Sequence, residues 1–140
     1  LTIRTSIIGP ELKMSGIGLL HWFLNQSGEI KGYRKAIWSG VTTLQLGKSI
    51  LDLLDRPPVT GLIHLTNNIQ INKFELTTLF KSIFDRSQIS IIPYDDYVID
   101  KSIVNTRDDI NFSLPSYEQM LSEMHVWMIQ HKNLYPYYNN

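Results

Sequence analysis

The stretch LTIRTSIIGP, residues 1–10, decides the fold. It combines β-branched and aliphatic residues with a Gly9–Pro10 breaker, which predicts a strand over residues 1–8 and then a turn. Apolar residues fall on both of its faces, as in a parallel-sheet strand that is covered on both sides. GLIHLT, residues 61–66, has the same character. The sequence therefore predicts that residues 2–8 and 61–66 form neighbouring parallel strands.

The connection between these two strands should contain a helix. Parallel neighbours need a crossover, and such crossovers are right-handed almost by rule. TTLQ, residues 42–45, fits a capping box, in which the threonine hydroxyl and the glutamine side chain each meet a free backbone amide. We predict a helix from about residue 43 to residue 55, ended by Pro57–Pro58. Its buried face should consist of Leu44, Gly47, Ile50, Leu51 and Leu54.

Strand-like and helical segments alternate along the rest of the chain. GEIKGY and KAIWSG predict two brief strands, with a hairpin as one arrangement. Capping signatures at Asn72 with Glu75, and at Ser116 with Gln119, predict two further helices. This alternation indicates an α/β fold. A single strand pair cannot cover itself, so we expect these strands to form the edge of a larger parallel sheet.

The composition excludes several functions. The 140 residues suit one domain, and the 13 basic residues balance the 13 acidic ones, so no overall field would attract nucleic acid or an acidic membrane. No apolar run approaches the roughly 18 residues that a membrane span needs. The chain has no cysteine, which excludes disulfides and thiolate chemistry. Its four histidines lack the spacing of metal ligands, and no metal site is expected.

Six motifs together carry a resemblance to a known family. They are IRTSIIGPE, GLLHWFLNQSGEIKG, WSGVTTLQLGKSI, GLIHLTN, INKFELTTLF and NTRDDINFSLPSYEQML. In order and spacing they resemble the C-terminal half of the extended short-chain dehydrogenases. The most similar branch contains dTDP-4-dehydrorhamnose reductase and related sugar-nucleotide reductases and epimerases. The resemblance covers nearly the whole chain.

The resemblance implies that residues 1–140 are the C-terminal, substrate-binding portion of a longer NAD(P)-dependent oxidoreductase. Residues 1–8 and 61–66 would belong to the parent Rossmann sheet, and the remainder to a small α/β lobe. The family's glycine-rich phosphate loop is not in this sequence, and the one Tyr-x-x-x-Lys spacing, Tyr97 to Lys101, lies outside the six motifs, whereas the family has its pair in the N-terminal half. The missing N-terminal half would therefore hold most of the NAD or NADP, and no catalytic residue is expected in this piece, which should be inactive alone.

The resemblance also implies a nucleotide-sugar substrate, a role in polysaccharide or deoxysugar synthesis and a location in the cytoplasm. It allows a homodimer, and neither nucleic acid nor membrane is expected as a partner. Two alternatives stay open at this point. One is a non-catalytic regulatory subunit of the same fold that binds a nucleotide, and the other is a self-standing module for a phosphorylated metabolite.

Two groups of candidate site residues lie at strand ends. The resemblance places Thr5, Ser6 and Ile8 near the nicotinamide, although an ordinary strand end explains them equally well. Relatives often have a Gly-Ser-Pro-Thr run lining the substrate pocket where this chain has WSGVT, which makes Trp38 and Thr42 substrate candidates. A tryptophan can stack on a base or sugar, but in a short strand it more often belongs to the core.

The remaining candidates would bind phosphate. Gly16 and Gly18 precede a short helix and could offer free amides to a diphosphate, with Lys13 adding charge, but a flexible loop explains the same glycines. The resemblance implies that Arg107 reaches the diphosphate, since its guanidinium fork matches paired phosphate oxygens. The alternative is a local ion pair with a neighbouring aspartate, Asp108 or Asp109. His64 is expected to be a core residue with satisfied hydrogen bonds.

Overall fold

A computed structural model describes residues 1–110 and 112–138, so Asn111 of the sixth motif lies outside the described residues. The strands of this part are β1 (Thr2–Arg4), β2 (Ile7–Ile8), β3 (Gly28–Tyr33), β4 (Ala36–Trp38), β5 (Val41–Thr42), β6 (Leu62–His64), β7 (Ile71–Asn72), β8 (Ile89–Tyr94) and β9 (Ile99–Lys101). The helices are α1 (Leu19–Leu24), α2 (Thr43–Leu54), α3 (Lys73–Ile83) and α4 (Tyr117–Gln130), followed by 3-10 turns at Lys132–Leu134 and Pro136–Tyr138. The predicted α/β class is confirmed.

The parallel strand pair at the start of the chain is confirmed in part. β1 pairs with β6 in parallel, with Thr2 opposite Leu62 and Arg4 opposite His64. The second part of the predicted first strand behaves differently, because β2 pairs in parallel with β5 instead. The prediction of one continuous strand over residues 2–8 is therefore wrong. The break falls at Thr5, whose hydroxyl donates to the carbonyl of Leu65 at 2.7 Å.

The other strands form two small sheets. β3 pairs with β8 in parallel over their full length, while β4 lies between β9, which is parallel to it, and β7, which is antiparallel. The hairpin arrangement of β3 with β4 is thus wrong. A two-residue hairpin of the favoured type needs positive φ at its central positions. Arg34 and Lys35, which separate the two strands, are not among the described residues with positive φ.

The helix starts follow the capping predictions. The side chains of Thr42, Asn72 and Ser116 each accept a hydrogen bond from the amide three residues on, at 3.1, 2.8 and 3.2 Å. The reciprocal half of the first capping box is absent, because the side chain of Gln45 donates to the Ser49 hydroxyl at 3.2 Å. Local sequence therefore predicts where these helices begin, but not every contact at their ends.

The core lies where α1, α3 and α4 meet the strands. Phe23 and Phe80 are fully buried, with ring centroids 5.5 Å apart in an edge-on arrangement. Leu20 of α1 and Leu76 of α3 are also fully buried beside them. Truncating a buried phenylalanine of this kind to alanine costs about 3–5 kcal/mol. The packing of these helices against the strands fixes the positions of the strand ends.

The apolar face predicted for α2 is not buried. We call Leu44, Gly47, Ile50, Leu51 and Leu54 the α2 outer face. Leu51 is 65% exposed and Leu54 is 75% exposed, whereas the buried residues of α2 are Gln45, Ser49 and Leu53. The burial prediction is therefore wrong for most of this face.

The α2 outer face borders an open groove of about 1000 Å³ between α2 and α4. The double covering predicted for residues 2–8 and 61–66 is not supplied by the described part of the chain, since Ile7 of β2 and Leu62 of β6 are exposed. In each case the described part of the chain supplies a covering element on one side only. The sequence pattern thus marks surfaces that this part of the chain does not itself cover.

Candidate functional site

Four predicted site residues lie together just beyond the carboxyl ends of β1 and β6, where β2 and β5 run side by side. Ligands of open α/β sheets bind outside these ends of the strands. The Ser6 carbonyl accepts a hydrogen bond from the Val41 amide at 3.0 Å, and Ile8 stands opposite Thr42 in the β2–β5 pair. Thr5 lies in the same place through its bond to Leu65. The structure therefore clusters Thr5, Ser6, Ile8 and Thr42.

Two members of this cluster already have structural duties. Ile8 is buried in the core, and Thr42 is buried with its hydroxyl accepting from the Gln45 amide at the start of α2. A side chain that caps a helix from inside the protein is not free to meet a substrate. Thr5 and Ser6 are the members that lie less deeply, and contact with a nicotinamide stays a prediction for them.

A close backbone approach joins β2 to β5. A Cβ atom added at Gly40 would lie 2.2 Å from the Ser6 carbonyl oxygen and 2.4 Å from the Trp38 ring. No side chain fits at such distances, so glycine is required at position 40 for the chain to pass Ser6. This tight crossing fixes the position of Ser6 relative to Trp38.

Trp38 packs in the core rather than standing free. Its ring centroid lies 5.8 Å from that of Tyr117, at an angle of 46°, and the residue is partly buried against the main core cluster. The Tyr117 hydroxyl donates to the carbonyl of Ile69 at 2.5 Å, and burial raises the pKa of Tyr117 to about 12. This packing fits the core alternative that the sequence left open for Trp38, while stacking on a base or sugar stays a prediction.

The loop before α1 does not present free amides. The Gly18 amide donates to the carboxylate of Glu11, and the Gly16 amide donates to the Lys13 carbonyl at 3.2 Å. The expectation that Gly16 and Gly18 leave their amides open for an anion is therefore wrong. The physical reason is that the Glu11 carboxylate already takes the position of an anion at Gly18. The side chain of Lys13 is exposed.

A cleft of about 730 Å³ opens beside this loop. We call it the α1 cleft, and its lining includes Met14, Gly16, Ile17, Trp22, Asn25 and Lys73. Lys73 is half-buried, and its pKa is lowered, first by burial and second by the charge of Lys101. An anion in the cleft would offset both causes. Sequence reasoning missed Lys73, although a lysine directly after the capping residue of a helix was visible.

Arg107 is held inside its own loop. Its Nε donates to Asp109 at 2.9 Å, its Nη2 donates to the other oxygen of the same carboxylate, and its Nη1 donates to the Thr60 carbonyl at 2.5 Å. Hydrogen bonding between the two side chains raises the pKa of Arg107 and lowers that of Asp109. The local ion pair, which was the alternative, is therefore present, and Asp109 rather than Asp108 is the partner.

The location of Arg107 also bears on a ligand role. Thr60 and Gly61 precede β6, and the Gly61 carbonyl accepts from the Thr2 amide at the start of β1. Arg107 thus lies at the amino ends of β1 and β6, whereas Thr5 lies at their carboxyl ends. Contact of Arg107 with a diphosphate stays a prediction. It would require the Arg107 guanidinium to break its ion pair with Asp109.

Three polar side chains fix the segment before Arg107, and two of them, Ser39 and Asn68, were not singled out in the sequence. The Ser39 hydroxyl bonds to both the amide and the carbonyl of Ile103 at 2.7 Å. The Nδ1 of His64 donates to the Val104 carbonyl at 2.9 Å, and Asn68 accepts from the Asn105 amide at 2.8 Å. Because a carbonyl only accepts, the hydrogen of His64 is on Nδ1.

His64 is only half satisfied. Its Nε2 is buried, and within residues 1–110 and 112–138 it has no hydrogen-bond partner. The expectation of a fully satisfied core histidine is therefore wrong for this atom. The available signal was its position at the end of a strand, where polar side chains of α/β proteins often meet ligands.

The described residues hold neither a metal cluster nor a membrane-spanning helix. No group of three or more histidine, aspartate or glutamate side chains in the described ranges could hold a metal ion. None of the helices that the structure describes is long and apolar enough to cross a membrane.

The comparisons with known proteins concern the fold. No family model matches the sequence, and no curated protein matches it. Among solved structures, dTDP-4-dehydrorhamnose reductase from Bacillus anthracis, in complex with NADP, matches with a TM-score of 0.72 and 18% identity, over 89% of this chain and 47% of that one. GDP-L-fucose synthetase from Naegleria fowleri, bound to NADP, matches with a TM-score of 0.66 and 14% identity, over 92% and 44%.

A third solved structure that matches is an epimerase. UDP-N-acetylglucosamine 4-epimerase from Methanobrevibacter ruminantium, in complex with UDP-N-acetylmuramic acid, matches with a TM-score of 0.64 and 13% identity, over 91% of this chain and 45% of that one. The chain therefore spans about half the length of the solved structures it matches. Its α/β fold matches about half of each of these Rossmann-type structures, and the predicted resemblance is confirmed at the level of the fold.

Proposed function

We propose that this chain is the substrate-binding half of an NAD(P)-dependent oxidoreductase that acts on a nucleotide-activated sugar. The observation that carries the proposal is the shared fold with a reductase, a synthetase and an epimerase, each over about half its length. The names of these three proteins have a nucleotide-linked sugar in common, while their reactions differ. The proposal therefore specifies the substrate class, and it includes polysaccharide or deoxysugar synthesis in the cytoplasm as the setting.

The proposal requires a second α/β unit, and the open side of β1 is where it would join. Within the described residues the only strand paired with β1 is β6. A further parallel strand beside β1, joined to it by a right-handed crossover, would place its helix on the same side of the sheet as α2. That helix would run parallel to α2, since crossover helices run opposite to the strands they connect.

The α2 outer face has the properties needed to receive such a helix. It is apolar and exposed at Leu51 and Leu54, and a Cβ atom added at Gly47 would meet nothing within 4 Å. Open space above a glycine lets a second helix approach closely. In this arrangement β1 and β6 belong to the shared sheet, as the resemblance implied for residues 1–8 and 61–66.

The two units would divide the chemistry. The sequence has no glycine-rich phosphate loop after a strand, and its one Tyr-x-x-x-Lys spacing, Tyr97 to Lys101, lies in a loop and in β9 rather than on a helix. The second unit would therefore bind the NAD or NADP and transfer the proton. This chain would bind the nucleotide sugar in the α1 cleft, where Lys73 supplies charge and Trp22 a partly exposed aromatic ring. Lys13 would add charge at the rim, and Thr5 with Ser6 would face the cofactor.

Calorimetric titration of the purified 140-residue chain tests the proposal. We expect dTDP-glucose or UDP-glucose to bind and NADPH not to bind tightly, and we expect no oxidation of NADPH. Lys73→Met should weaken the binding of the nucleotide sugar, whereas Lys81→Met, on the same helix, should not. Oxidation of NADPH by the chain alone would contradict the proposal, and so would equal binding by the two lysine variants.

A further inference from the structure

The last described residue reaches back to the loop before α1. Tyr138 lies in the 3-10 turn at the end of the chain, and its hydroxyl accepts a hydrogen bond from the Glu11 amide at 3.0 Å. The same hydroxyl lies 2.5 Å from Nδ1 of the buried His21. The two rings meet edge-on with centroids 5.5 Å apart. One phenol thus contacts both the loop and α1.

The directions of these hydrogen bonds follow from His21. Its Nε2 lies 3.1 Å from the carbonyl of Met14, and a carbonyl only accepts, so Nε2 carries the ring hydrogen. In a singly protonated ring Nδ1 is then an acceptor. The Tyr138 O–H therefore donates to Nδ1, while its oxygen accepts from the Glu11 amide. Each polar atom in the chain of contacts is matched.

These contacts hold a loop that packs poorly by itself. Ile17 is 96% exposed, and Met14 is also exposed, so apolar burial contributes little to the order of residues 11–18. The loop is fixed at Glu11 by Tyr138, at Met14 by His21 and at Gly18 by the Glu11 carboxylate. Burial raises the pKa of Tyr138, as expected for a phenol enclosed by its partners.

We propose that Tyr138 is a positioning residue that, together with His21, sets the conformation of residues 11–18 and so the shape of the α1 cleft. Met14, Gly16 and Ile17 belong both to this loop and to the lining of the cleft. The effect on ligand affinity rests on the function proposed above, whereas the effect on the loop does not. Tyr138 acts through the loop and touches no substrate.

The test removes one oxygen atom, the hydroxyl oxygen of Tyr138. Tyr138→Phe keeps the ring but removes the hydroxyl, and Tyr137→Phe, in the same turn, is the matched control. Loss of the two hydrogen bonds of this hydroxyl should speed amide exchange of residues 12–18 and tryptic cleavage after Lys13 by about threefold or more. Nitrogen NMR of the wild type should show the His21 hydrogen on Nε2. The control should leave all three readouts unchanged.

The ligand arm separates the two proposals. Titration with dTDP-glucose should show weaker binding for Tyr138→Phe than for Tyr137→Phe. If the loop loosens in Tyr138→Phe but no form of the chain binds the nucleotide sugar, the proposed function fails while the positioning of the loop by Tyr138 stands. Equal exchange and cleavage rates in Tyr138→Phe and the wild type, with equal melting temperatures, would overturn the positioning role whatever the ligand result.

Discussion

The guanidinium of Arg107 donates to both carboxylate oxygens of Asp109, two residues further along the same loop. Its third contact, to the Thr60 carbonyl, ties this loop to the start of β6. Such a fork needs the planar geometry of arginine, which a lysine ammonium does not reproduce. The Arg107–Asp109 ion pair therefore stabilises the conformation of this loop.

Arg107→Lys should lower the melting temperature without changing the affinity for a nucleotide sugar. The reason is that the lost contacts lie at the amino ends of β1 and β6, away from the α1 cleft. Differential scanning fluorimetry and calorimetric titration with dTDP-glucose measure the two quantities on the same samples. Asp109→Asn is the matched variant, because it removes the partner and keeps the arginine. Weaker sugar-nucleotide binding at an unchanged melting temperature would support the diphosphate role instead.

Stability should fall in acid because of carboxylates paired in the folded state. Hydrogen bonds to Arg107 lower the pKa of Asp109 below its usual 3.8, and those to Arg34 do the same for Asp95. A carboxylate whose pKa is lower in the folded state contributes stability that is present above its unfolded pKa and is lost as pH falls through its folded pKa. Melting temperatures should therefore decline below about pH 4.

Substitutions and added salt identify which carboxylates cause the loss of stability in acid. Asp109→Asn and Asp95→Asn should each flatten the decline below about pH 4, and added salt should weaken it, since both pairs are exposed. Asp85→Asn serves as the control, because no ion pair is found for Asp85 within the described residues. An identical acid profile for all three variants would show that these pairs do not cause the decline.

Local signals in the sequence predicted local structure. The caps at Thr42, Asn72 and Ser116 each depend on an amide three residues away, and all three were found. The parallel pairing of β1 with β6 was also predictable, because strand composition and the crossover rule together leave few arrangements. These features need no knowledge of distant neighbours.

Contacts between distant residues were not predictable. Tyr138 and His21 are separated by 117 positions, and nothing near either residue indicates the other. The carboxylate of Glu11 occupies the place expected for an anion at Gly18, because side chains of the same protein compete for free amides. The α2 outer face shows a third limit, since apolar spacing predicts that a face is buried without indicating which chain buries it.

A pair of glycine substitutions should have opposite effects on stability. Gly40→Ala places a Cβ atom against the Ser6 carbonyl, and overpacking of this kind costs about 1–3 kcal/mol. Gly47→Ala places its Cβ atom in open space within α2, where replacing glycine by alanine stabilises a helix by about 0.5–1 kcal/mol. Urea unfolding of the two variants measures both changes. Equal shifts would mean that the β2–β5 crossing has room that the structure does not show.

The α2 outer face should make the isolated chain associate. Exposed apolar patches next to an open groove favour self-association, and in residues 1–110 and 112–138 one edge of β1 has no strand paired with it. Sedimentation velocity should therefore show a mass that rises with protein concentration. Leu51→Lys with Leu54→Lys should reduce this association, while the free energy of unfolding stays nearly constant because both side chains are already exposed.

Val98→Lys, at an apolar residue elsewhere on the surface that is 73% exposed, is the control. If Val98→Lys reduces association as much as the double variant, the apolar surface in general is responsible. A monomer at every concentration would mean that this face does not need the second α/β unit to keep the chain in solution.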